Sequence, residues 1–413
     1  MRSSRARGFL DHHSQLAAIV GHLTLSRYSL LMTRRDLARI STAAALLPRR
    51  RAQAAPAKYA SALDGLESKL DLTTFDPIAY TLKLHDAAPL RLTFKATTRK
   101  QAEAWQKQLR PKLIEVMGGF PAQSSPLNAQ TIEVKDFPSY RREKFVFQSR
   151  PGLGVLGYLL TPTASKPPYA PVLCIPGHGR GVDDIVGIDP NGADRTARVT
   201  YQYDFAVQCV EHGLAAVAIE PMSFGCRRDA KTIARSLEAN VCQPSAGSAL
   251  LLGQTMIAWR VYDMMRAIDW IATRPELDAK RVGCMGISGG GMATLFAAAL
   301  DPRIKASLVS GYLNIFRECI MSISHCIDNY IPGLLNWCEM YDIAGLIAPH
   351  PVFFESGERD NIFPIAASRE SFGRVRKIYE IFGASDLTGH EVFDGPHSFS
   401  GKQGLPFLKK HLA

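Results

Sequence analysis

Arg281-Val282-Gly283-Cys284-Met285-Gly286-Ile287-Ser288-Gly289-Gly290-Gly291-Met292 reads as a short apolar strand, a glycine-flanked turn around one serine, and the start of a helix that runs on to Leu300. Gly286 to Gly290 fits the pattern G-x-S-x-G in the strand–turn–helix setting that pattern requires. Such a turn is tight and strained, so the flanking positions need residues without side chains. The serine hydroxyl is then held above the end of a sheet. A phosphate-binding loop is excluded here, because the stretch lacks G-x-x-x-x-G-K-[ST].

A serine hydroxyl is a weak nucleophile until a base takes its proton. In this topology the partners are expected later in the chain, acid before histidine. Of the histidines after Ser288, His350 enters an apolar run, His390 is expected just before the last strand, and His411 lies inside the final helix. His325 lies in a long irregular segment. His397, in Asp394-Gly395-Pro396-His397-Ser398, follows the last strand and is the expected base. Asp360, in Gly357-Glu358-Arg359-Asp360, follows the strand Val352–Glu355 and is the expected acid, with Glu358 as its nearest rival and Glu355 as a more distant one. Two backbone donors are needed for a tetrahedral oxyanion. Gly289 is the first. The second is expected from Pro176-Gly177-His178-Gly179-Arg180-Gly181, at the N–H of His178 or alternatively that of Gly179.

Outward from this core, apolar runs at Pro171–Ile175, Leu214–Ile219, Arg281–Ile287, Ile304–Ser310, Val352–Glu355 and Glu391–Phe393 alternate with helical patterns at 199–212, 249–274, 290–300, 364–382 and 401–411. This rhythm predicts an α/β fold with a mostly parallel central sheet and helices on both faces. Right-handed crossovers then gather the strand C-termini at one edge, where ligands bind. Thr131–Val134, Glu143–Gln148 and Val155–Leu160 predict antiparallel strands ahead of that sheet. Residues 221–248 and 313–340 are too long for plain connections and are expected to act as lid-like walls of a pocket. A helix over 98–117 should bury Ala102, Trp105, Leu109, Leu113 and Val116. The expected organisation is a targeting segment at 1–57, an N-terminal helical attachment at 58–128 and a catalytic domain at 129–413.

The net charge of +11 is concentrated at the start. Residues 1–57 hold ten arginines against Asp11 and Asp36, which accounts for +8 and leaves about +3 for the rest. A nucleic-acid partner is therefore not expected. Thr33-Arg34-Arg35-Asp36-Leu37, the mild apolar stretch Ile40 to Leu47 and Ala52-Gln53-Ala54 resemble a twin-arginine export signal with its cleavage site. Export predicts a periplasmic or secreted protein, with a cytoplasmic one as the alternative, and Met32 is an alternative start to Met1. No apolar run is long enough for a membrane span. The eight cysteines lack C-x-x-C spacing and no H-E-x-x-H occurs, so neither a metal nor another cofactor is expected. His325-Cys326-Ile327-Asp328 has chelating residue types but reads more simply as loop packing.

Residues 150–413 resemble the esterase-type α/β-hydrolases grouped with dienelactone hydrolases and acetyl-xylan esterases and, more remotely, the catalytic domain of prolyl oligopeptidases. The resemblance is carried by Ile175–Gly181, Glu220–Gly225, Arg281–Met292, His325–Tyr330, Glu339–Pro349, Glu355–Pro364 and Asp394–Ser398. One departure is Pro176-Gly177, where many relatives have His-Gly. The resemblance implies cofactor-free hydrolysis of a carboxylic ester, with a small-molecule or carbohydrate ester as substrate. A peptidase of the prolyl-oligopeptidase type is one alternative, although residues 58–150 are too few for the propeller of that family. A non-catalytic binding protein is the other, although no member of the expected triad is missing.

Overall fold

Period-two alternation sorts the side chains of the central strands onto two faces, and that sorting builds the molecule. In the computed structural model, which describes residues 62–235 and 241–412, Leu173, Ile175, Val217, Ile219, Cys284 and Phe354 join one apolar cluster. Their neighbours Val172, Cys174, Ala216, Ala218, Met285 and Phe353 join another on the opposite face. Strands buried on both faces have no polar side to offer water, hence their continuous apolar sequences. The basic N-terminal segment and its twin-arginine pattern lie outside the described residues.

The unit from Thr73 onward starts with helices α1 (Pro77–Asp86) and α2 (Arg99–Val116), followed by strands β1 (Gln130–Asp136), β2 (Tyr140–Arg150), β3 (Leu153–Pro162) and β4 (Pro171–Ile175). Then come α3 (Phe205–Glu211), β5 (Ala215–Ile219), α4 (Ala230–Arg235), α5 (Gln243–Leu251), α6 (Met256–Ile271), β6 (Val282–Ile287), α7 (Gly289–Leu300) and β7 (Ile304–Ser310). The chain closes with α8 (Met340–Gly345), β8 (Val352–Gly357), α9 (Ile365–Phe382), β9 (Thr388–Phe393) and α10 (Gly404–Leu412). The strands form a nine-stranded sheet in the order β1-β2-β3-β5-β4-β6-β7-β8-β9. β1, β2, β3 and β5 pair antiparallel, and every pair from β5 through β9 is parallel.

Helices α2, α6, α7, α8 and α9 cover one face, whereas α3 and α10 cover the other. Helix α2 is capped by Thr98, whose side chain accepts from the Gln101 N–H, and it buries Ala102, Trp105, Leu109 and Leu113 as expected. Val116 is only half-buried at its end. The loops after β4, β6, β8 and β9 all leave from the same sheet edge, because these strands run parallel. Those loops carry His178, Ser288, Asp360 and His397.

Two details differ from the sequence expectation. The helix expected over 249–274 is two helices, α5 and α6. Gly253 takes a φ of +70°, and Thr255 restarts the helix by accepting from the Ala258 N–H. His390 lies within β9 rather than before it, because the strand begins at Thr388.

Candidate active site

Ser288 sits between β6 and α7 with φ 57° and ψ −121°, a region L-residues rarely occupy. The chain is forced into it by close packing. A Cβ on Gly286 would lie 2.5 Å from the Gly290 carbonyl oxygen, and one on Gly290 would lie 1.9 Å from the Ile175 carbonyl oxygen. The two glycines thus let α7 cross directly over the end of β4. The strained backbone costs about 1–3 kcal/mol, which the buried strand and helix on either side offset. Its effect is to lift the serine side chain clear of the sheet.

On one side of Ser288, His397 and Asp360 are joined by a 2.6 Å hydrogen bond between the histidine Nδ1 and the carboxylate Oδ2. The other carboxylate oxygen of Asp360 accepts from the Ile362 and Phe363 N–H groups, at 2.8 and 3.0 Å. The carboxylate is therefore fixed by its own loop and buried. The imidazole lies between Tyr201 and Phe363, whose ring centroids are 5.7 and 5.6 Å away. The Nε2 of His397 is buried and has no hydrogen-bond partner among the described residues, and His397 and Ser288 line the same cleft. Tyr201 lines that cleft as well.

The rival acids are engaged elsewhere. Glu358 pairs with Arg369 at 2.8 Å on the surface. Glu355 accepts from the Ser400 and Gly401 N–H groups at 3.0 and 2.9 Å, and burial raises its carboxyl to a pKa of about 7. It braces the loop that follows His397. His390 bonds the Ser356 hydroxyl at 3.0 Å, and burial pushes its pKa down to about 4. His350 donates nothing to the cleft; its carbonyl accepts from the Tyr379 hydroxyl at 2.6 Å.

In the loop after β4, Gly177 N–H donates to Gln202, Arg180 N–H to Asp184 and Val182 N–H to Glu220. The His178 carbonyl accepts from the Tyr201 hydroxyl at 2.7 Å. No hydrogen bond among the described residues engages the N–H of His178 or Gly179. The Gly289 N–H belongs to the first turn of α7, where backbone donors have no partner within the helix. The cleft itself has a volume of about 340 Å³ and is lined by His178, Tyr201, Ser288, Ile323, Cys326 and His397, among others. A roomier groove of about 500 Å³, lined by Lys135, Arg142, Arg180 and Glu220 among others, shares no lining residue with it.

The model of the Abhydrolase family matches residues 77–388, three quarters of the chain. The chain belongs to the Abhydrolase family. YtaP of Bacillus subtilis, assigned as a hydrolase, is 24% identical over 286 residues, covering 67% of this chain and 89% of that protein. Acetyl esterase Axe7A of Xylanibacter ruminicola is 29% identical over 114 residues, 25% of this chain and 26% of that one. Among solved structures, a Bacteroides fragilis protein assigned as an acetyl xylan esterase superposes with a TM-score of 0.70 at 21% identity, covering 81% of this chain and 94% of that chain. A glucuronoyl esterase from Solibacter usitatus gives 0.59 at 16% identity, covering 79% and 97%. The fold is the α/β-hydrolase fold.

Beside the predicted residues, this α/β-hydrolase places a second polar cluster on the far side of the cleft. Arg260 of α6 is fully buried and donates to Asp328 Oδ2 at 2.6 Å, to the Met222 carbonyl at 2.9 Å and to Cys242 Sγ at 3.4 Å. Its guanidinium also lies 4.4 Å from the Phe224 ring, which in turn packs against His178. Burial alone would raise the Asp328 carboxyl, but the Arg260 charge and then His178 hold it well below the usual range. The hydrogen bond with Cys326, then His178 and Arg260, outweigh burial and hold the Cys242 thiol well down. Sequence reasoning missed Tyr201, Phe363, Cys242 and Arg260. Tyr201 and Phe363 are ordinary aromatic residues near loops, and Arg260 occupies a helix position that reads as core. Only His325-Cys326-Ile327-Asp328 carried a signal, and its partners are distant in sequence. The insertion 313–340 does wall the cleft, through Ile323 to Cys326. The insertion 221–248 reaches it through Phe224 and Cys242, both in contact with His178.

Proposed function

We propose that the protein is a carboxylic ester hydrolase in which Ser288 is the nucleophile, His397 the base and Asp360 the residue that orients it. The observation that carries this reading is the 2.6 Å bond from His397 Nδ1 to Asp360, with the opposite ring nitrogen left unpartnered in the cleft that holds Ser288. In this reading the serine hydroxyl gives its proton to that nitrogen as it attacks. Attack on the ester carbonyl forms a tetrahedral oxyanion, held by the N–H groups of Gly289 and His178. His397 then returns the proton to the departing alcohol, and water hydrolyses the acyl-enzyme by the same route in reverse. Asp360 fixes the tautomer and stabilises the imidazolium.

The substrate we propose is a neutral ester with a small acyl group, acetyl above all, on a carbohydrate alcohol. The modest cleft volume supports a short acyl chain. No lysine or arginine lines the cleft among the described residues, which gives a uronate carboxylate no fixed counter-charge. The names of the acetyl esterase and of the acetyl xylan esterase-like structure point the same way. We also read the twin-arginine pattern as export to the periplasm or beyond, and residues 58–128 as an attachment to the catalytic domain. A panel of acetyl, butyryl and octanoyl esters, acetylated xylo-oligosaccharides, a methyl glucuronate ester and a peptide amide tests the assignment. Fastest turnover is expected on acetyl esters. Preference for the uronate ester or the amide would overturn the substrate class.

A further inference from the structure

His178, Cys242, Cys326 and Asp328 come from three separate segments and converge behind the wall of the cleft. Their donor atoms all lie within 4.8 Å of one another. His178 Nε2 is 3.8 Å from Cys242 Sγ and 3.5 Å from Asp328 Oδ2. Cys242 Sγ is 3.6 Å from the same oxygen. Tetrahedral zinc with bonds of roughly 2.0–2.3 Å places neighbouring nitrogen, oxygen and sulfur donors roughly 3.3–3.8 Å apart. Three edges of such a tetrahedron are therefore already in place, and Cys326 is positioned to close the fourth corner.

We propose that these four residues bind a single thiophilic divalent cation, zinc(II) by the match of donors and spacing. Zinc takes sulfur and imidazole donors readily and has no preferred geometry of its own beyond the tetrahedron these atoms outline. Two thiolates, one carboxylate and a neutral imidazole leave the occupied site with one net negative charge. Arg260 lies against it, hydrogen-bonded to both Asp328 and Cys242, and supplies the balancing positive charge. Partners of this kind orient the ligands of a metal and tune its affinity. Cys326 and His178 also line the cleft, so a cation has a route in. The bound ion would tie both insertions to the loop after β4. It would thereby fix the ring of His178, acting as a cross-link rather than in the chemistry. This inference rests on the cluster alone and stands whether or not the ester-hydrolase reading does.

The test uses the full chain without a histidine tag, reduced, stripped with chelator and titrated with zinc(II) in competition with a chromophoric chelator. Cobalt(II) is added separately as a spectroscopic probe. An equimolar uptake of zinc is expected, along with a raised unfolding midpoint that depends on zinc concentration. Cobalt should give thiolate-to-metal charge transfer and the strong visible bands of a tetrahedral site. Cys242→Ser and Cys326→Ser should each weaken zinc by about 100-fold or more, while Cys209→Ser, buried elsewhere, should leave it unchanged. Failure of the unmutated chain to bind zinc, or binding that survives Cys242→Ser, would overturn the site. So would recovery of Cys242 and Cys326 as a disulfide from a chain whose reduced form ignores zinc. The cobalt spectrum of the unmutated chain decides the matter even where a variant misfolds.

Discussion

His397 and Asp360 lie in loops that follow the adjacent parallel strands β9 and β8, and one hydrogen bond joins them. Across the cleft, His178, Cys242, Cys326 and Asp328 are gathered from the loop after β4 and from two long insertions, around a buried arginine on α6. The first side is positioned by the sheet. Once strand direction and order are set, the two residues can hardly avoid meeting. The second side is positioned by tertiary packing of irregular segments, and nothing in their local sequence forces them together. Chemistry that the fold places automatically needs little besides correct strands, whereas chemistry assembled from insertions needs its own buried ion pair to hold it.

The contrast can be broken first on the sheet side. Ser288→Ala should lower ester turnover by about 10⁴-fold or more with the fold retained, read from steady-state kinetics alongside circular dichroism. Asp360→Asn should cost on the order of 10⁴ through a misplaced imidazole tautomer, whereas Glu358→Gln, which only loses a surface pair with Arg369, should leave the rate near normal. If Glu358→Gln proved the damaging change, the acid would be misassigned while the serine mechanism stood. On the other side, Arg260→Ala should act mainly on stability. It strands Asp328 as a buried carboxylate, and losing one partner of such a pair typically costs about 3–5 kcal/mol, measurable by denaturant unfolding.

The smallest effect belongs to His390, on β9 beside the loops that carry Asp360 and His397. Its pKa of about 4 in the folded chain lies below the usual histidine value of about 6.5. The unfolded chain therefore binds more protons between these values. The neutral, buried ring is tolerated fully above about pH 6.5, and stability falls as the pH drops from there towards 4, by at most about 3 kcal/mol. His390→Gln keeps a partner for Ser356 and should flatten this slope. An unchanged slope would show that other groups carry it.

The same contrast explains what could be read from the sequence. The alternation of apolar runs and helices was legible because strands buried on both faces cannot carry polar residues, and with it came the loops holding Ser288, Asp360 and His397. Gly286 and Gly290 were legible because no side chain fits where α7 crosses β4. The break at Gly253 was not, since an apolar period continues on both sides of it and the cap at Thr255 acts across one short turn. Tyr201 and Phe363, which sandwich His397, were hidden for a different reason. Their partner is set by three-dimensional packing, and an aromatic residue beside a loop carries no mark of what it will stack on.

The most direct measurement is active-site labelling of the full chain with a fluorophosphonate, followed by peptide mapping of the adduct by mass spectrometry. The account predicts stoichiometric loss of ester hydrolysis with the phosphonyl group on Ser288, and slowed labelling in Asp360→Asn. An adduct on another residue that accompanies inactivation, or full hydrolysis by a chain quantitatively labelled at Ser288, would contradict it.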